Sequence, residues 1–461
     1  MTKCYYPDLK VLAVDLPEDI EKKKWSGDFE GAIDLIEQWL KKDIPDILQS
    51  KLLAEKEILS ILPFEYSMNE QEALAAMQEK VPDFTSEEFY KLKDQGKIDW
   101  IYVNGEERYF DDFIATLVDV NHEIRARAAR IDSSLLKPDE EKELLKQTIR
   151  EIKTKRSLTY YFRIKASVRM ADNVFHPGRV CVHLPVPCRS KQVEQMKLIA
   201  TSSDDYILAD EDVSQRTICY KEDMSENHPF FVTYSYVNHV DYVEVDEKQV
   251  HSIEPENFED FLSEKLPHIR FTPYMRALAK KLTDHIDNPY RKAKSIYDYI
   301  TTHIDYSYVR NYSTIENLSE YAAIGQKGDC GIQSLMFITL CRIAGIPARW
   351  QSGLYTTPYS AGMHDWAQFY IAPYGWLFAD CSFGGSAYRD HDEERRQFYF
   401  GNLDPFRMPA NSDIQENFSP AKKYVRADTC DNQRGEIEYE DGGLRAYEFR
   451  AKYVVEEAYP V

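Results

Sequence analysis

Three residues that can together perform nucleophilic catalysis occur in order along the second half of the chain: Cys330, His364 and Asp380. Cys330 directly follows Asp329, and Asp is a favoured N-cap residue, so a helix start is predicted here. Apolar residues at helical spacing continue to the stop signal Gly345–Pro347 and place Cys330 in the first turn. A helix N-terminus carries partial positive charge and free N–H groups, which favour a thiolate and can stabilise an oxyanion.

A base and an acid follow on two predicted strands. His364 begins an apolar run that ends at the turn signal 372–375, and Asp380 closes the next run. A hairpin turning there brings the two side chains within about three residue steps across the ladder. A nucleophilic thiol needs a base, and an acid beside an imidazole holds its tautomer and stabilises its cation. The sequence is consistent with this geometry but leaves the register open.

Four ordered segments carry a resemblance to a known family: Gly328–Cys330, Arg342–Arg349, His364–Trp366 and Gly375–Asp380. Together they resemble the bacterial transglutaminase-like superfamily, whose members place Cys, His and Asp in this chain order. The resemblance covers roughly residues 270–385. It implies a papain-like core in which Cys330 is the nucleophile, His364 the general base and acid, and Asp380 the orienting residue.

Two positions depart from the family pattern. Asp365 stands where members commonly have Ala, and Cys381 where they commonly have Pro. Neither change removes a triad group. Alternation along a strand predicts that Asp365 points away from His364, although its charge can alter the imidazole pKa. No side-chain oxyanion donor is assigned, and Gln326 is the nearest upstream amide.

The elements that must position these residues predict an α+β multidomain protein. Residues 1–155 show mainly helical spacing of apolar side chains and form the predicted N-terminal region. A charged connector at 137–156 ends this region. Residues 156–252 hold β-type runs broken by Pro, Gly and Asp, which predict a β-sandwich-like domain. Residues 253–461 form the predicted transglutaminase-like catalytic domain with C-terminal strands. The resemblance does not explain the helical N-terminal region.

Composition and charge argue against several kinds of partner. The 461 residues include 78 Asp and Glu against 57 Lys and Arg, a formal net charge of -21. Phosphate backbones and anionic lipids repel so acidic a chain, so neither nucleic acid nor membrane is expected as a partner. No window approaches the ~18 apolar residues of a spanning helix. The N-terminus lacks a basic stretch followed by an apolar run, so we expect a cytoplasmic protein.

The cysteines show no CxxC pair and no dense framework, which favours a reducing compartment. They are Cys4, Cys181, Cys188, Cys219, Cys330, Cys341, Cys381 and Cys430. Potential metal ligands occur at His176, Cys181, His183 and Cys188. Their spacing matches no standard zinc pattern, so no metal and no cofactor is expected. The acidic run Asp390–Glu394 lacks the alternation of a calcium loop and predicts a solvated helix start.

These features predict a cysteine hydrolase of the protease or amidase type, which attacks a peptide-type amide bond and forms a thioester acyl-enzyme. Acyl transfer to an amine is a second hypothesis, because the triad is the same and only the exclusion of water separates the two reactions. A non-catalytic peptide-binding scaffold is the third, and the intact set of three groups argues against it. A peptide or protein is the expected substrate, and binding a protein partner is one role open to the helical N-terminal region.

Overall fold

The computed structural model describes residues 1–3, 9–135 and 139–461, so Cys4 and the first residues of the predicted connector, 137 and 138, lie outside the described residues. A helical N-terminal region, a two-sheet β-sandwich and a third sheet that carries the candidate site follow one another along the chain. This architecture confirms the predicted α+β multidomain fold class. Across the described ranges, no helix combines the length and apolar composition that crossing a membrane requires.

Helices and one hairpin build the N-terminal region. They are α1 (Glu18–Trp25), α2 (Phe29–Trp39), α3 (Asp46–Glu65), α4 (Glu70–Lys80), α5 (Ser86–Asp94), β1 (Trp100–Val103), β2 (Glu106–Tyr109), α6 (Phe113–Val120), α7 (His122–Ala128) and α8 (Asp139–Lys155). Local sequence determines where α4 starts: Asn69 accepts the N–H of Glu72, and the Glu72 carboxylate accepts the N–H of Asn69. The apolar faces bury two clusters, one around Leu59 and one around Phe89.

Antiparallel strands form the sandwich. They are β3 (Ser157–Met170), β4 (Gly178–Pro185), β5 (Met196–Thr201), β6 (Tyr206–Leu208), β7 (Thr217–Met224) and β8 (Phe230–Asp241). Along β3, fully buried side chains alternate with more exposed ones. This is the pattern of a strand with one face on a core, as its apolar alternation predicts.

The candidate site lies in the next set of elements. They are α9 (Glu259–Leu262), α10 (Pro273–Thr283), α11 (Pro289–His303), β9 (Asp305–Tyr306), α12 (Leu318–Gly325), β10 (Lys327–Gly328), α13 (Cys330–Ile343), β11 (Ala348–Thr356), β12 (Ala361–Ile371), β13 (Gly375–Ala379), α14 (Cys381–Arg389), α15 (Glu393–Phe398), β14 (Phe400–Gly401) and β15 (Arg407–Asn411). The sheet order is β14-β13-β12-β11-β15, and all its pairs are antiparallel. Helix α13 is buried almost all round, and most of its side chains are apolar.

The last strands return to the sandwich. They are β16 (Glu436–Tyr439), β17 (Gly442–Gly443) and β18 (Phe449–Pro460), and short 3-10 turns occur at Leu9–Ala13, Ser133–Leu135, Pro255–Phe258, Tyr312–Thr314 and Ala446–Glu448. The two sandwich sheets have the orders β17-β16-β4-β7-β6 and β18-β3-β8-β5. The C-terminal strands, which the sequence grouped with residues 253–461, therefore pair within the sandwich. The predicted domain bounds stay predictions.

Candidate active site

The hairpin of β12 and β13 brings His364 and Asp380 together. Ile371 pairs with Gly375 and Ala367 with Ala379, so the chain reverses at the predicted turn. His364 Nε2 lies 2.8 Å from Asp380 Oδ2, and both side chains are buried. The register that the sequence left open is thus one that joins the predicted base to the predicted acid.

Asp380 is held as a carboxylate. Its Oδ1 accepts hydrogen bonds from Ser382 Oγ at 3.1 Å and from the Phe383 N–H at 3.0 Å. Arg407 Nη2 donates to Oδ2 at 2.8 Å. Burial opposes ionisation, but the interactions of the carboxylate with His364 and Arg407 outweigh it and hold the pKa of Asp380 well below its usual range. Because a carboxylate only accepts hydrogen bonds, His364 Nε2 donates, and Nδ1 is the basic nitrogen of the ring.

Burial and aromatic packing set the state of the imidazole. The Phe383 ring meets the His364 ring edge-on, with centroids 4.8 Å apart. Burial lowers the pKa of His364, and the Asp380 charge opposes that shift only in part. The imidazole is therefore neutral near pH 7 and able to accept a proton.

Arg407 is a site residue that the sequence did not reveal. It is fully buried, and Nη1 also donates to both carboxylate oxygens of Asp404, at 3.1 and 3.2 Å. Its guanidinium lies 4.1 Å from the centroid of Phe383 and 4.6 Å from that of Tyr355. One cation thus compensates two buried acids, although no motif around position 407 indicates this role.

Cys330 begins α13, as predicted, but its thiol is hydrogen-bonded to a residue outside the predicted set. Asp329 is the N-cap and accepts the N–H of Ile332 at 3.1 Å. The Cys330 thiol donates to Asp365 Oδ2, with Sγ and oxygen 3.2 Å apart. Within the described ranges, the polar contact of Sγ is with Asp365 and not with His364. The structure therefore joins His364 and Asp380 by a direct hydrogen bond, whereas the thiol of Cys330 is hydrogen-bonded to the carboxyl group of Asp365.

The surroundings of this thiol reverse the predicted electrostatics. Burial raises the pKa of Cys330 well above its ordinary value, and the carboxyl groups of Asp365 and Asp329 raise it further. The sequence predicted a stabilised thiolate from the helix N-terminus alone. Burial and two nearby acids outweigh that partial charge, so the resting group is a thiol.

A second cluster of acids surrounds Asp365. Gln433 Nε2 donates to Asp365 Oδ1, to Asp431 Oδ2 at 3.2 Å and to the carbonyl oxygen of His364 at 3.2 Å. Burial, followed by the charge of Asp428, raises the pKa of Asp431 to about 7. Burial and the charge of Asp431 raise the pKa of Asp365 well above its usual range. Both carboxyl groups therefore hold a proton to higher pH than an ordinary Asp side chain does.

The residue after the cysteine must be glycine. A Cβ atom at Gly331 would overlap Tyr312 Oη and lie 2.9 Å from Asp365 Oδ2. Tyr312 Oη donates to Asp329 Oδ1 at 2.5 Å, so the tyrosine is held in place. The close approach of Asp365 to the start of α13 depends on the missing side chain.

The remaining sequence candidates lie outside this contact network. Cys381 is fully buried as the first residue of α14. Gln326 is exposed at the end of α12, and its carbonyl oxygen accepts the N–H of Asp305 at 2.9 Å. Asp392 caps α15 by accepting the Arg395 N–H at 3.1 Å, so the acidic run is a helix start.

A cavity of about 880 Å³ opens at His364 and is walled on one side by the N-terminal helices. Its lining includes Tyr306, Tyr355, Phe383 and Arg389 from the elements around the candidate site and Asp119, Arg125, Glu141 and Lys146 from α6 to α8. A volume of this size suits a small ligand or a few peptide side chains. The helical region, whose role the sequence left open, thus contributes charged groups to the cavity.

Residues 276–381 match the family model described as the Transglutaminase-like superfamily. The chain carries a transglutaminase-like domain. The match confirms the resemblance seen in the sequence, and its range contains Cys330, His364 and Asp380. It supports an enzyme of the cysteine hydrolase or transferase type.

The similar proteins either align with a limited part of the chain or have low structural similarity to it. The Bacillus subtilis (strain 168) protein described as "Uncharacterized protein YebA" is 30% identical over 121 residues, 22% of this chain and 16% of that protein. The chain thus matches less than a fifth of that relative's length. A Cytophaga hutchinsonii structure provisionally described as a cysteine protease is 15% identical, with a TM-score of 0.42, covering 65% of this chain and 91% of that one. The periplasmic domain of TgpA from Pseudomonas aeruginosa is 14% identical, with a TM-score of 0.28, covering 54% and 95%.

Proposed function

We propose that this chain is a cysteine hydrolase that cleaves peptide-type amide bonds through Cys330, His364 and Asp380. The observation that carries the proposal is the buried 2.8 Å hydrogen bond from His364 Nε2 to Asp380 Oδ2. It leaves Nδ1 as the basic nitrogen, within a matched domain whose buried central helix begins at Cys330. These are the groups that a thiol nucleophile needs.

The first half of the reaction forms a thioester. Cys330 gives up its hydrogen bond to Asp365, its proton passes to His364 Nδ1, and Sγ attacks the amide carbon. Because thiol and imidazole are both neutral at rest, proton transfer accompanies the attack instead of preceding it. The developing oxyanion is stabilised by the N–H of Cys330 itself at the start of α13, since Asp329 already accepts the N–H of Ile332. The proton on Nδ1 then passes to the leaving amine as the C–N bond breaks.

The second half releases the acyl group. A water molecule loses a proton to His364 Nδ1 as its oxygen attacks the thioester carbon. The C–S bond breaks, the carboxylic acid leaves, and the Cys330 sulfur recovers the proton from the imidazole. Asp380 stabilises the imidazolium in both halves without being protonated itself.

One observation favours the non-catalytic alternative. The Cys330–Asp365 hydrogen bond and the raised thiol pKa describe a nucleophile held in its unreactive form. A scaffold that binds peptides would keep this state, whereas an enzyme must leave it when substrate enters.

A peptide-library digestion tests the proposal. The full chain is incubated with a mixed peptide library, with and without an added primary amine, and products are identified by mass spectrometry. We expect new carboxyl termini that disappear in Cys330→Ala and persist in Cys188→Ala, which removes a buried cysteine between β4 and β5. Amine adducts in place of carboxyl termini would indicate acyl transfer. Products that survive in Cys330→Ala would contradict the mechanism, and the absence of any product would favour the scaffold.

The same proposal includes a cytoplasmic location and a peptide or protein substrate. The cysteines show no CxxC pair and no dense framework in the sequence, which supports a reducing compartment. The net charge of -21 supports the absence of nucleic acid and anionic membrane as partners. Fractionation of cells that express the tagged full chain tests the location, and recovery outside the cytoplasm would contradict it.

A further inference from the structure

The sandwich brings together three metal-binding side chains that lie apart in the sequence. Cys181 and His183 are on one face of β4, and the register of β7 places Cys219 opposite His183. Cys181 Sγ lies 3.3 Å from Cys219 Sγ and 3.5 Å from His183 Nε2. All three donor atoms lie within 4.8 Å of one another.

These spacings suit one tetrahedral ion. Zn–S and Zn–N bonds of about 2.3 and 2.05 Å put two sulfurs about 3.8 Å apart and sulfur and nitrogen about 3.6 Å apart. The observed distances of 3.3 and 3.5 Å need only small side-chain movements to reach these values. Thiolate and imidazole are soft and borderline donors, so the set selects zinc over calcium or magnesium.

The histidine is already oriented as a ligand. His183 Nδ1 is hydrogen-bonded to Thr217 Oγ1 at 3.0 Å, so Nε2 is the nitrogen that faces the thiols. Metal-bound histidines characteristically use the other ring nitrogen in this way. His183 is fully buried, and the Phe418 ring packs against it with centroids 4.9 Å apart.

Solvent reaches the cluster through Cys181. Cys219 is buried, but Cys181 is partly exposed and lines a surface groove together with Lys221 and Glu438. The Glu438 carboxylate already accepts the backbone N–H groups at 423 and 424, at 3.0 Å. It is therefore engaged elsewhere, and the fourth coordination position faces the groove.

We propose that Cys181, His183 and Cys219 bind one zinc ion, with the fourth position open to solvent. Both thiols lose their protons on binding, and the ion accepts lone pairs from two sulfurs and from Nε2. The ion joins β4 to β7 and thereby stabilises the sheet into which the C-terminal strand β16 pairs. Because binding releases protons, the affinity falls as the pH falls.

The sequence prediction of no metal site rested on a different set of potential ligands, which contained His176 and Cys188 but not Cys219. His176 stacks on Tyr439 with ring centroids 4.0 Å apart. Cys188 is buried at a separate place, where its N–H bonds the carbonyl oxygen of Pro409 at 2.9 Å. Cys219 was not considered with His183, because only strand pairing brings the two together.

Zinc content and cobalt spectroscopy test the site. The full chain is loaded with zinc, passed through gel filtration and analysed by plasma mass spectrometry, and we expect one zinc per chain. Cys181→Ser and Cys219→Ser should lose it, whereas the matched buried-cysteine control Cys188→Ser and the active-site variant Cys330→Ala should retain it. Thr217→Val should weaken binding by about 10- to 100-fold, the usual effect of removing a partner of a ligand. Cobalt loading of the wild type should produce a thiolate-to-cobalt charge-transfer band.

Three results would overturn the site. The first is zinc retained by both Cys181→Ser and Cys219→Ser, and the second is zinc lost with Cys330→Ala alone. The third is a Cys181–Cys219 disulfide, found by non-reducing peptide mapping of the metal-loaded protein. If the serine variants do not fold, the wild-type cobalt spectrum decides, because the absence of the charge-transfer band contradicts thiolate ligation.

Discussion

The two sides of the candidate site bury one carboxyl group each, Asp380 beside His364 and Asp365 beside Cys330. Both groups lose their hydration and both accept hydrogen bonds, but only Asp380 gains a cation, Arg407, as a direct partner. Asp365 gains other acids as neighbours, so its pKa rises while that of Asp380 falls. Burial alone does not set the state of a buried acid; the charge and hydrogen-bond donors packed around it decide.

The largest expected effect on activity follows from removing the negative charge of Asp380. Asp380→Asn keeps the size of the side chain but no longer stabilises the imidazolium, so we expect kcat/KM to fall by about a thousandfold or more. Slow alkylation of Cys330 by iodoacetamide should persist. Asp404→Asn is the matched control, because Asp404 also binds Arg407, and no hydrogen bond joins it to His364 among the described contacts. Wild-type activity in Asp380→Asn would remove this residue from the triad.

Removing the Arg407 cation should destabilise the fold around Asp380. In Arg407→Met, Asp380 and Asp404 lose their buried partner, so we expect a loss of about 3–5 kcal/mol in the free energy of unfolding, measured by urea denaturation. Arg349→Met is the control, because Arg349 stacks on Trp376 and bonds an amide instead of an acid. A loss no greater than the control's would show that Arg407 does not compensate these acids.

The raised pKa of Asp431, beside Asp365, should make the free energy of unfolding depend on pH. Asp431 has a folded-state pKa of about 7, above its ordinary value of 3.8. Between these two pH values the folded state binds more protons than the unfolded state, so stability falls as the pH rises toward about 7, by up to about 1.4 kcal/mol per unit. Asp431→Asn should flatten this slope. Asp413→Asn should not, because Asp413 is partly exposed and paired with Lys265. Equal slopes in the wild type and Asp431→Asn would contradict the raised pKa.

The smallest expected effect concerns the thiol itself. Asp365→Asn removes a carboxyl group that raises the pKa of Cys330, so we expect iodoacetamide to label Cys330 about tenfold faster near pH 7. A pH series with mass mapping measures the rate, and Asp413→Asn is again the control. An unchanged labelling rate would show that Asp365 does not raise the thiol pKa.

Local patterns were enough to predict the features whose parts lie close together along the chain. Asp329 and the apolar spacing after it predicted the helix that begins at Cys330, and the turn signal at 372–375 predicted the hairpin that joins His364 to Asp380. The family resemblance is confirmed over the same region. These predictions succeeded because a helix cap and a tight hairpin depend on neighbouring residues.

The tertiary structure alone decided the charge states and the distant partners. Arg407, Gln433 and Asp431 reach the site from segments that follow it in the chain, and no motif marks them. Cys219 joins Cys181 and His183 only through the register of β7 on β4. The sequence supplied the local field of a helix N-terminus at Cys330, whereas burial and the packed carboxyl groups outweigh that field. Desolvation and through-space charge depend on which residues fold together, and spacing along the chain does not determine this.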